Sequence, residues 1–226
     1  GTLLNVGLPN AGFDYELGGR VTYGRRTDCV DGWEASYMTT ADPWLGNSVR
    51  TGAGLNSFVT PAGGLNAGNV SAFNNANFQE LATKSRLHSA EINRMTWGWD
   101  VMNTFYGIRY LDLADELRYT SVAGANVGNL RINTENHLFG PQIGSEWFYD
   151  IGGRVYLSGK GKLGAFVNAY TQNSSLTNSG PVATAFFGTD SGAEFAALGE
   201  LQFNAFYKLG QNTRLRAGYE IWYLYG

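Results

Sequence analysis

Apolar and polar residues alternate with a period of two over much of the chain, most clearly near its C-terminal end. In 214–221 every second residue is apolar, and the residues between them are Arg, Gly or Glu. The preceding segment, 197–209, repeats this alternation from Glu200 onward. Because successive side chains of a strand point to opposite faces, the two segments predict a hairpin with one apolar face and one charged face.

Six further segments show related alternation, so the sequence predicts eight antiparallel strands in this chain. The six are 13–23, 33–37, 86–95, 100–111, 130–148 and 154–172. Short connections near 25–31, 96–99, 150–153 and 210–213 alternate with long ones at 40–84, 112–129 and 173–193. Outer-membrane barrels have short turns at one end and longer loops at the other. The pattern therefore predicts an all-β, antiparallel up-and-down transmembrane β-barrel.

The long connection at about 40–84 is predicted to be an external loop of a single outer-membrane barrel domain covering residues 1–226. It contains several large apolar residues, among them Leu55 and Phe73. A disordered tether is poor in such residues. We therefore expect this segment to fold against the rest of the protein.

Composition narrows the classes of function. The 226 residues include 31 Gly and 5 Pro, and the net charge is only −3, so there is no basic field for nucleic acid. The single cysteine excludes a disulfide framework. No stretch approaches the roughly 18 apolar residues of a transmembrane helix. A soluble lipocalin-like binder would need the reverse arrangement, with apolar residues inside and polar residues outside.

The charged residues of the alternating segments share the polar face, and acids and bases on it are nearly balanced. They serve either a selective channel or a set of cross-strand ion pairs that fill a narrow barrel, and we favour the ion pairs. The predicted lumen-lining residues are Glu16, Arg20, Glu34, Glu91, Arg109, Glu146, Arg154, Lys160, Lys162, Glu200, Lys208, Arg214, Arg216 and Glu220.

Candidates for catalysis or metal binding are weak. His137 and Ser145 lie on one predicted strand, which cannot bring them together as a catalytic pair. Asp112, Asp115 and Glu116 offer carboxylates suited to Ca²⁺, but a solvated charged rim explains them better. The sequence therefore predicts no catalytic residues, no metal site, no cofactor and no enzymatic activity.

Six stretches, taken in order, resemble the β-barrel porin family of planctomycete bacteria. They are 18–24 (GGRVTYG), 28–34 (DCVDGWE), 85–93 (SRLHSAEIN), 107–116 (GIRYLDLADE), 136–144 (NHLFGPQIG) and 215–224 (LRAGYEIWYL). The resemblance implies a barrel in the bacterial outer membrane and a porin-like function. Family members also carry a strand before the first stretch and one after the last. We therefore expect about ten strands in the full protein, an even number as is usual for these barrels.

The predicted function is that of a narrow or occluded outer-membrane barrel that acts as an envelope scaffold or assembly unit through its external loops. The alternative is a diffusion porin for small solutes. An interior of about eight to ten strands is filled by its own side chains, which favours the first. The predicted partners are outer-membrane lipid and, through the external loops, another copy or an envelope protein, with no nucleic acid.

Overall fold

The structure, a computed structural model, describes residues 18–28, 30–40, 44–56, 67–99, 101–180, 183–210 and 214–226. Its described part is all-β, with a short 3-10 segment at Ala67–Phe73. The strands are β1 (Gly18–Arg26), β2 (Asp31–Thr40), β3 (Trp44–Leu55), β4 (Ala76–Trp99), β5 (Met102–Ala123), β6 (Asn126–Gly152), β7 (Val155–Asn178), β8 (Thr184–Lys208) and β9 (Arg214–Tyr225).

The strands form one antiparallel sheet in up-and-down order, β1-β2-β4-β5-β6-β7-β8-β9, with β3 also paired to β4. The sheet thus has nine strands where the alternation predicted eight. The additional strand lies beside the second one. Thr39 of β2 pairs with His88, and Trp44 of β3 pairs with Lys84 four positions further along β4. β3 therefore continues the course of β2 along the same edge of β4.

Two predicted long loops are wrong, because both are mostly strand. Residues 112–129 form the end of β5, a tight turn containing Gly124 and the start of β6. Gly124 has φ 62°, a left-handed conformation that glycine adopts without strain. Residues 173–193 likewise contain the end of β7 and the start of β8. The alternation is irregular in these segments although the backbone ladder continues, since Asp115 and Ser121 share the parity of Leu117 and Tyr119, and 173–193 is rich in Ser, Thr, Asn and Gly.

The strand connections lie at two ends of the sheet. We call the end where β1 connects to β2, β4 to β5, β6 to β7 and β8 to β9 the proximal end, and the opposite end, with the Gly124 turn, the distal end. In the proximal turn between β1 and β2, Oδ1 of Asp28 accepts hydrogen bonds from the backbone N–H groups of Val30 (2.8 Å) and Asp31 (2.6 Å). These bonds favour the charged form and lower the pKa of Asp28.

The sheet has two faces of opposite chemistry. The outer face presents exposed apolar side chains such as Leu163 (68% exposed) and Phe203 (58%). The inner face buries charged and amide side chains, including Lys162 (3%) and Glu200 (1%). In the last hairpin the apolar parity is exposed and the polar parity of β8 is buried, as the alternation predicted.

The sheet curls strongly around its inner face. Nζ of Lys160 on β7 lies 3.4 Å from Oε1 of Glu34 on β2, although three strands stand between them in the sheet order. Neighbouring strands are about 4.8 Å apart, so a flat sheet would separate these two strands by roughly 19 Å. β1 and β9, at the two ends of the order, are linked by Arg20 and Glu220. Within the described residues no ladder joins β1 to β9, so hydrogen bonds do not close the sheet.

The connection between β3 and β4 folds onto the inner face at the distal end. Phe73 and Val70 of the 3-10 segment are fully buried against Tyr119 and Leu176. The ring of Phe73 lies over Gly128, where a Cβ atom would come within 2.7 Å of it. The expectation that apolar residues of 40–84 pack against the protein is confirmed for Phe73, and Leu55 is also buried.

Candidate functional site

Four buried charges occupy the centre of the inner face, one each from β4, β5, β7 and β8. We call Glu91, Arg109, Lys162 and Glu200 the central tetrad. Nη1 of Arg109 lies 2.5 Å from Oε2 of Glu200. Nζ of Lys162 lies 2.9 Å from both Oε1 of Glu91 and Oε1 of Glu200. Each charge is thus compensated, as burial at low dielectric requires.

Neighbouring polar side chains complete the hydrogen bonding of the tetrad. Nε2 of Gln142 donates to Oε2 of Glu91 (2.6 Å), and Nε of Arg109 donates to Oγ of Ser89 (2.9 Å). Nε2 of Gln202 donates to Oε1 of Glu200 (2.5 Å). The guanidinium of Arg109 also stacks 4.3 Å from the ring centroid of Trp222. A buried ionic cluster of this kind tolerates the loss of one member poorly, since the others then remain charged and unpaired.

Two further ion pairs flank the tetrad. Lys160 pairs with Glu34 at 3.4 Å, across the curled sheet. Nη2 of Arg20 lies 2.8 Å from Oε1 of Glu220, which also accepts a hydrogen bond from the Trp222 ring nitrogen. The structure therefore pairs eight of the fourteen predicted lumen-lining residues with one another. They are Arg20, Glu34, Glu91, Arg109, Lys160, Lys162, Glu200 and Glu220.

The remaining predicted residues behave differently. Arg216 donates to Oδ1 of Asn204 (2.9 Å) and to Oε1 of Gln202 (3.4 Å), so it reaches Glu200 only through Gln202. Arg216 and Glu200 are thus connected through Gln202, without a direct ion pair. Glu146 is half-buried beside Lys160 in register, and Arg154 and Lys208 are exposed near the proximal end. Glu16, and the side chain of Arg214, lie outside the described residues.

An apolar layer lies next to the tetrad on its distal side. It is formed by inner-face side chains of β5 to β8, namely Leu111, Leu138, Phe166, Ala196 and Leu198. Leu111 is two positions from Arg109 and Leu198 is two positions from Glu200, so the layer directly covers the ion pairs. This layer was not predicted from the sequence, because single Leu and Phe residues on a polar parity look like exceptions to the alternation.

The 3-10 segment adds a third level at the distal end. Oγ of Ser121 donates to the carbonyl of Ala72 (2.7 Å), and Nε2 of Gln79 donates to the carbonyl of Phe73 (3.3 Å). The N–H of Ala72 donates to Oδ1 of Asn178 (3.3 Å). Three inner-face side chains therefore supply hydrogen-bond partners to the backbone of the 3-10 segment. Sequence reasoning missed this contact, and the apolar character of Phe73 was its only signal.

The residues considered for catalysis and metal binding do not assemble into a site. Nδ1 of His137 lies 3.0 Å from the hydroxyl of Tyr110 and 3.4 Å from Oδ1 of Asp112 on the outer face. Ser145 is eight positions further along β6, or roughly 26 Å at the rise of a strand. Within the described ranges, no group of three His, Cys, Asp or Glu side chains has a geometry suited to a metal ion.

Comparisons with known proteins add no relatives. The chain matches no protein-family model, no curated protein and no solved structure. None of the helices in the described ranges is long and apolar enough to cross a membrane. The geometry defines the class of protein: an antiparallel, strongly curled β-sheet with an apolar outer face and an ion-paired inner face. The porin family and its bacterial source remain predictions from the motifs.

Proposed function

We propose that the chain is a bacterial outer-membrane β-barrel protein whose interior is occluded and which serves as an envelope scaffold or assembly unit. The observation that carries the proposal is the distribution of side chains on the curled sheet. Apolar residues are exposed on the outside, and compensated charges are buried inside. A soluble protein rarely exposes an apolar surface of this extent, whereas hydrocarbon requires it.

The outer face supports the lipid-facing part of the proposal. Val167 and Phe195 are 63% and 65% exposed, and they belong to a continuous apolar surface that crosses β7 and β8. Tyrosine and tryptophan side chains such as Trp147, Tyr207 and Tyr219 lie toward the proximal border of this surface and are also exposed. Aromatic side chains of this type line the headgroup borders of outer-membrane barrels.

Strand length supports a particular placement in the membrane. The strands from β4 to β8 contain 22 to 27 residues. About 9–11 residues suffice to cross the hydrocarbon at a tilt. In the proposed arrangement the distal parts of these strands, with the 3-10 segment, project beyond the lipid. Hydrocarbon does not tolerate unpaired sheet edges. In the proposed arrangement β1 and β9 therefore pair either with each other or with further strands of the full protein, and the second arrangement corresponds to the expected barrel of about ten strands.

Three levels of side chains support an occluded interior. The ion pairs, the apolar layer and the 3-10 segment follow one another along the inner face from the middle of the strands to the distal end. An aqueous passage would have to displace all three. A narrow barrel of this strand number is filled by its own side chains in any case. The proposal therefore assigns function to the projecting surface, where other copies or envelope partners bind, rather than to a pore.

Planar-bilayer recordings of the purified protein test the proposal. We expect no steady single-channel current, because the inner face is filled. As a matched positive control, a variant with Glu91, Lys162, Phe166 and Phe73 all changed to serine removes bulk at all three levels and should raise the current above the original. A steady, large current through the unaltered protein would instead support the diffusion porin. Recovery of the protein from soluble fractions of its native cells would contradict the membrane placement.

A further inference from the structure

Cations on the inner face fall into two groups. Arg20, Arg109, Lys160 and Lys162 each lie within 3.4 Å of a carboxylate oxygen. By contrast Lys208 and Arg216, on the same parity near the proximal end, have no carboxylate partner within the described part of the chain. The difference is informative because the fully buried charges of this face are paired, whereas Lys208 and Arg216 keep their charges available to an outside partner.

The two unpaired cations rest on a pair of stacked rings. The Tyr156 and Phe206 rings are stacked with centroids 4.5 Å apart and an interplanar angle of 2°. Nζ of Lys208 lies 5.5 Å from the centroid of Tyr156, and Cζ of Arg216 lies 5.8 Å from that of Phe206. Such contacts hold a cation in place while leaving its charge uncompensated. Hydrogen bonds from Arg216 to Asn204 and Gln202 fix its position further.

A third cation completes a proximal rim. Arg154 lies in the turn between β6 and β7, where its carbonyl accepts a hydrogen bond of 2.8 Å from the N–H of Lys208. Its side chain is exposed. The nearby acid, Asp150, has Oδ1 occupied by the N–H of Gly152 at 2.8 Å. We call Arg154, Tyr156, Phe206, Lys208 and Arg216 the cationic rim.

The geometry of the cationic rim favours a chain of single charges over a compact, multiply charged ion. Two of the donor nitrogens of Arg216, Nε and Nη2, are already used on Asn204 and Gln202, so little remains for a bidentate clamp on phosphate. Lys208 and Arg216 contact different rings and are no more than about 16 Å apart, which about five residues of an extended chain can span.

We propose that the cationic rim is a binding site for a carboxylate-bearing polymer, such as an acidic peptide segment, at the proximal end of the sheet. The rings and amides hold Lys208 and Arg216 before the partner arrives, which reduces the ordering cost of binding. Binding is electrostatic and exposed, so it weakens with salt. The site does not depend on whether the barrel conducts, and it is separate from the distal surface to which scaffold contacts were assigned.

Fluorescence titration of the purified full chain in a neutral detergent with labelled poly-L-glutamate tests this site. We expect saturable binding at low salt. Changing Arg154, Lys208 and Arg216 together to glutamine should weaken it at least tenfold. The matched control changes Arg94, Arg118 and Arg131 to glutamine, which removes the same charge from exposed positions elsewhere, and should alter the affinity less than twofold. Circular dichroism of both variants verifies that the sheet is retained.

Three results would overturn the proposal. The first is the absence of saturable binding to the unaltered chain. The second is an equal loss of affinity in the control variant, which would assign the effect to net charge. The third is tight binding of inorganic tripolyphosphate together with weak binding of poly-L-glutamate, which would make the rim a phosphate site.

Discussion

The central part of the sheet and its distal extension use the same strands in opposite ways. In the central part, around the tetrad, the outer face is apolar and the inner face is ionic. In the distal extension, around Tyr119, Ser121 and Leu176, the inner face is packed by the 3-10 segment and the outer face carries charges such as Glu116 and Arg131. One continuous set of ladders therefore passes between two surroundings. Backbone pairing is continuous through both parts, while the side chains on the two faces differ between them.

The largest expected effect on stability comes from removing a buried charge in the central part of the sheet. Glu200→Ala leaves Arg109 and Lys162 buried with one carboxylate fewer, which should lower the free energy of unfolding by ~3–5 kcal/mol. Urea unfolding of the protein in lipid vesicles measures it. The double variant Arg109→Leu/Glu200→Leu removes both charges of one pair and should lose less than the single variant. A loss below about 1 kcal/mol for Glu200→Ala would show that the tetrad is not buried in the folded protein.

The second effect concerns the outer face of the central half. If it meets hydrocarbon, Ala165→Arg should cost ~2–4 kcal/mol, because Ala165 is exposed in the middle of the apolar surface between Leu163 and Val167, whereas the same change at a water-facing position costs little. Thr171→Arg provides the control, since Thr171 is an exposed residue on the distal part of β7 and should change stability by less than about 0.5 kcal/mol. Vesicle unfolding of both variants gives the difference. Equal costs at the two positions would remove the distinction between lipid-facing and water-facing halves.

The third effect concerns the inner side of the distal half. Ser121→Ala removes the donor to the carbonyl of Ala72 and leaves that buried oxygen unpaired, at an expected cost of ~1–3 kcal/mol. Hydrogen exchange should show faster exchange in 67–75, with the central strands unchanged. Thr171→Ala, at an exposed position, should leave exchange in 67–75 as it was. Uniformly faster exchange over the whole sheet would mean that the 3-10 segment is not a separate unit.

The smallest effect concerns the charges on the outer side of the distal half. Glu116 lies 2.7 Å from both Arg118 and Arg131, all at least partly exposed. Glu116→Ala should cost at most ~1 kcal/mol, and the cost should fall with added salt. Unfolding at low and high ionic strength measures it. A cost comparable to that of Glu200→Ala, independent of salt, would contradict the contrast between a solvated distal surface and a dry interior.

The same contrast explains which parts of the fold could be predicted. Around Tyr219 and Glu200 the alternation corresponds to one apolar face and one polar face of the sheet, and the strands predicted there are present. Residues 112–129 and 173–193 alternate irregularly, with polar residues such as Asp115 and Ser121 on the same parity as Leu117 and Tyr119, so they were taken for loops. The split between β2 and β3 was missed for the same reason, since 44–55 contains four glycine or asparagine residues and little alternation.

The site could be predicted in part. All four members of the central tetrad were predicted from the alternation alone, because each lies on the polar face of its strand. It did not reveal which residues pair, since pairing depends on the curl of the sheet. The partner of Lys160 is Glu34, with three strands between them in the sheet order, rather than its register neighbour Glu146. That Lys208 and Arg216 have no carboxylate partner among the described residues likewise appears only in the folded structure.

The contact between Arg20 and Glu220 has a consequence for the order of folding. Most ladders join strands that follow one another along the chain, so each hairpin closes a short loop and forms early at modest entropic cost. The contact between Arg20 and Glu220 joins residues 200 positions apart. These two side chains come within reach only after the intervening strands have assembled and curled. Their ion pair is therefore among the last contacts to form, and its appearance marks completion of the fold.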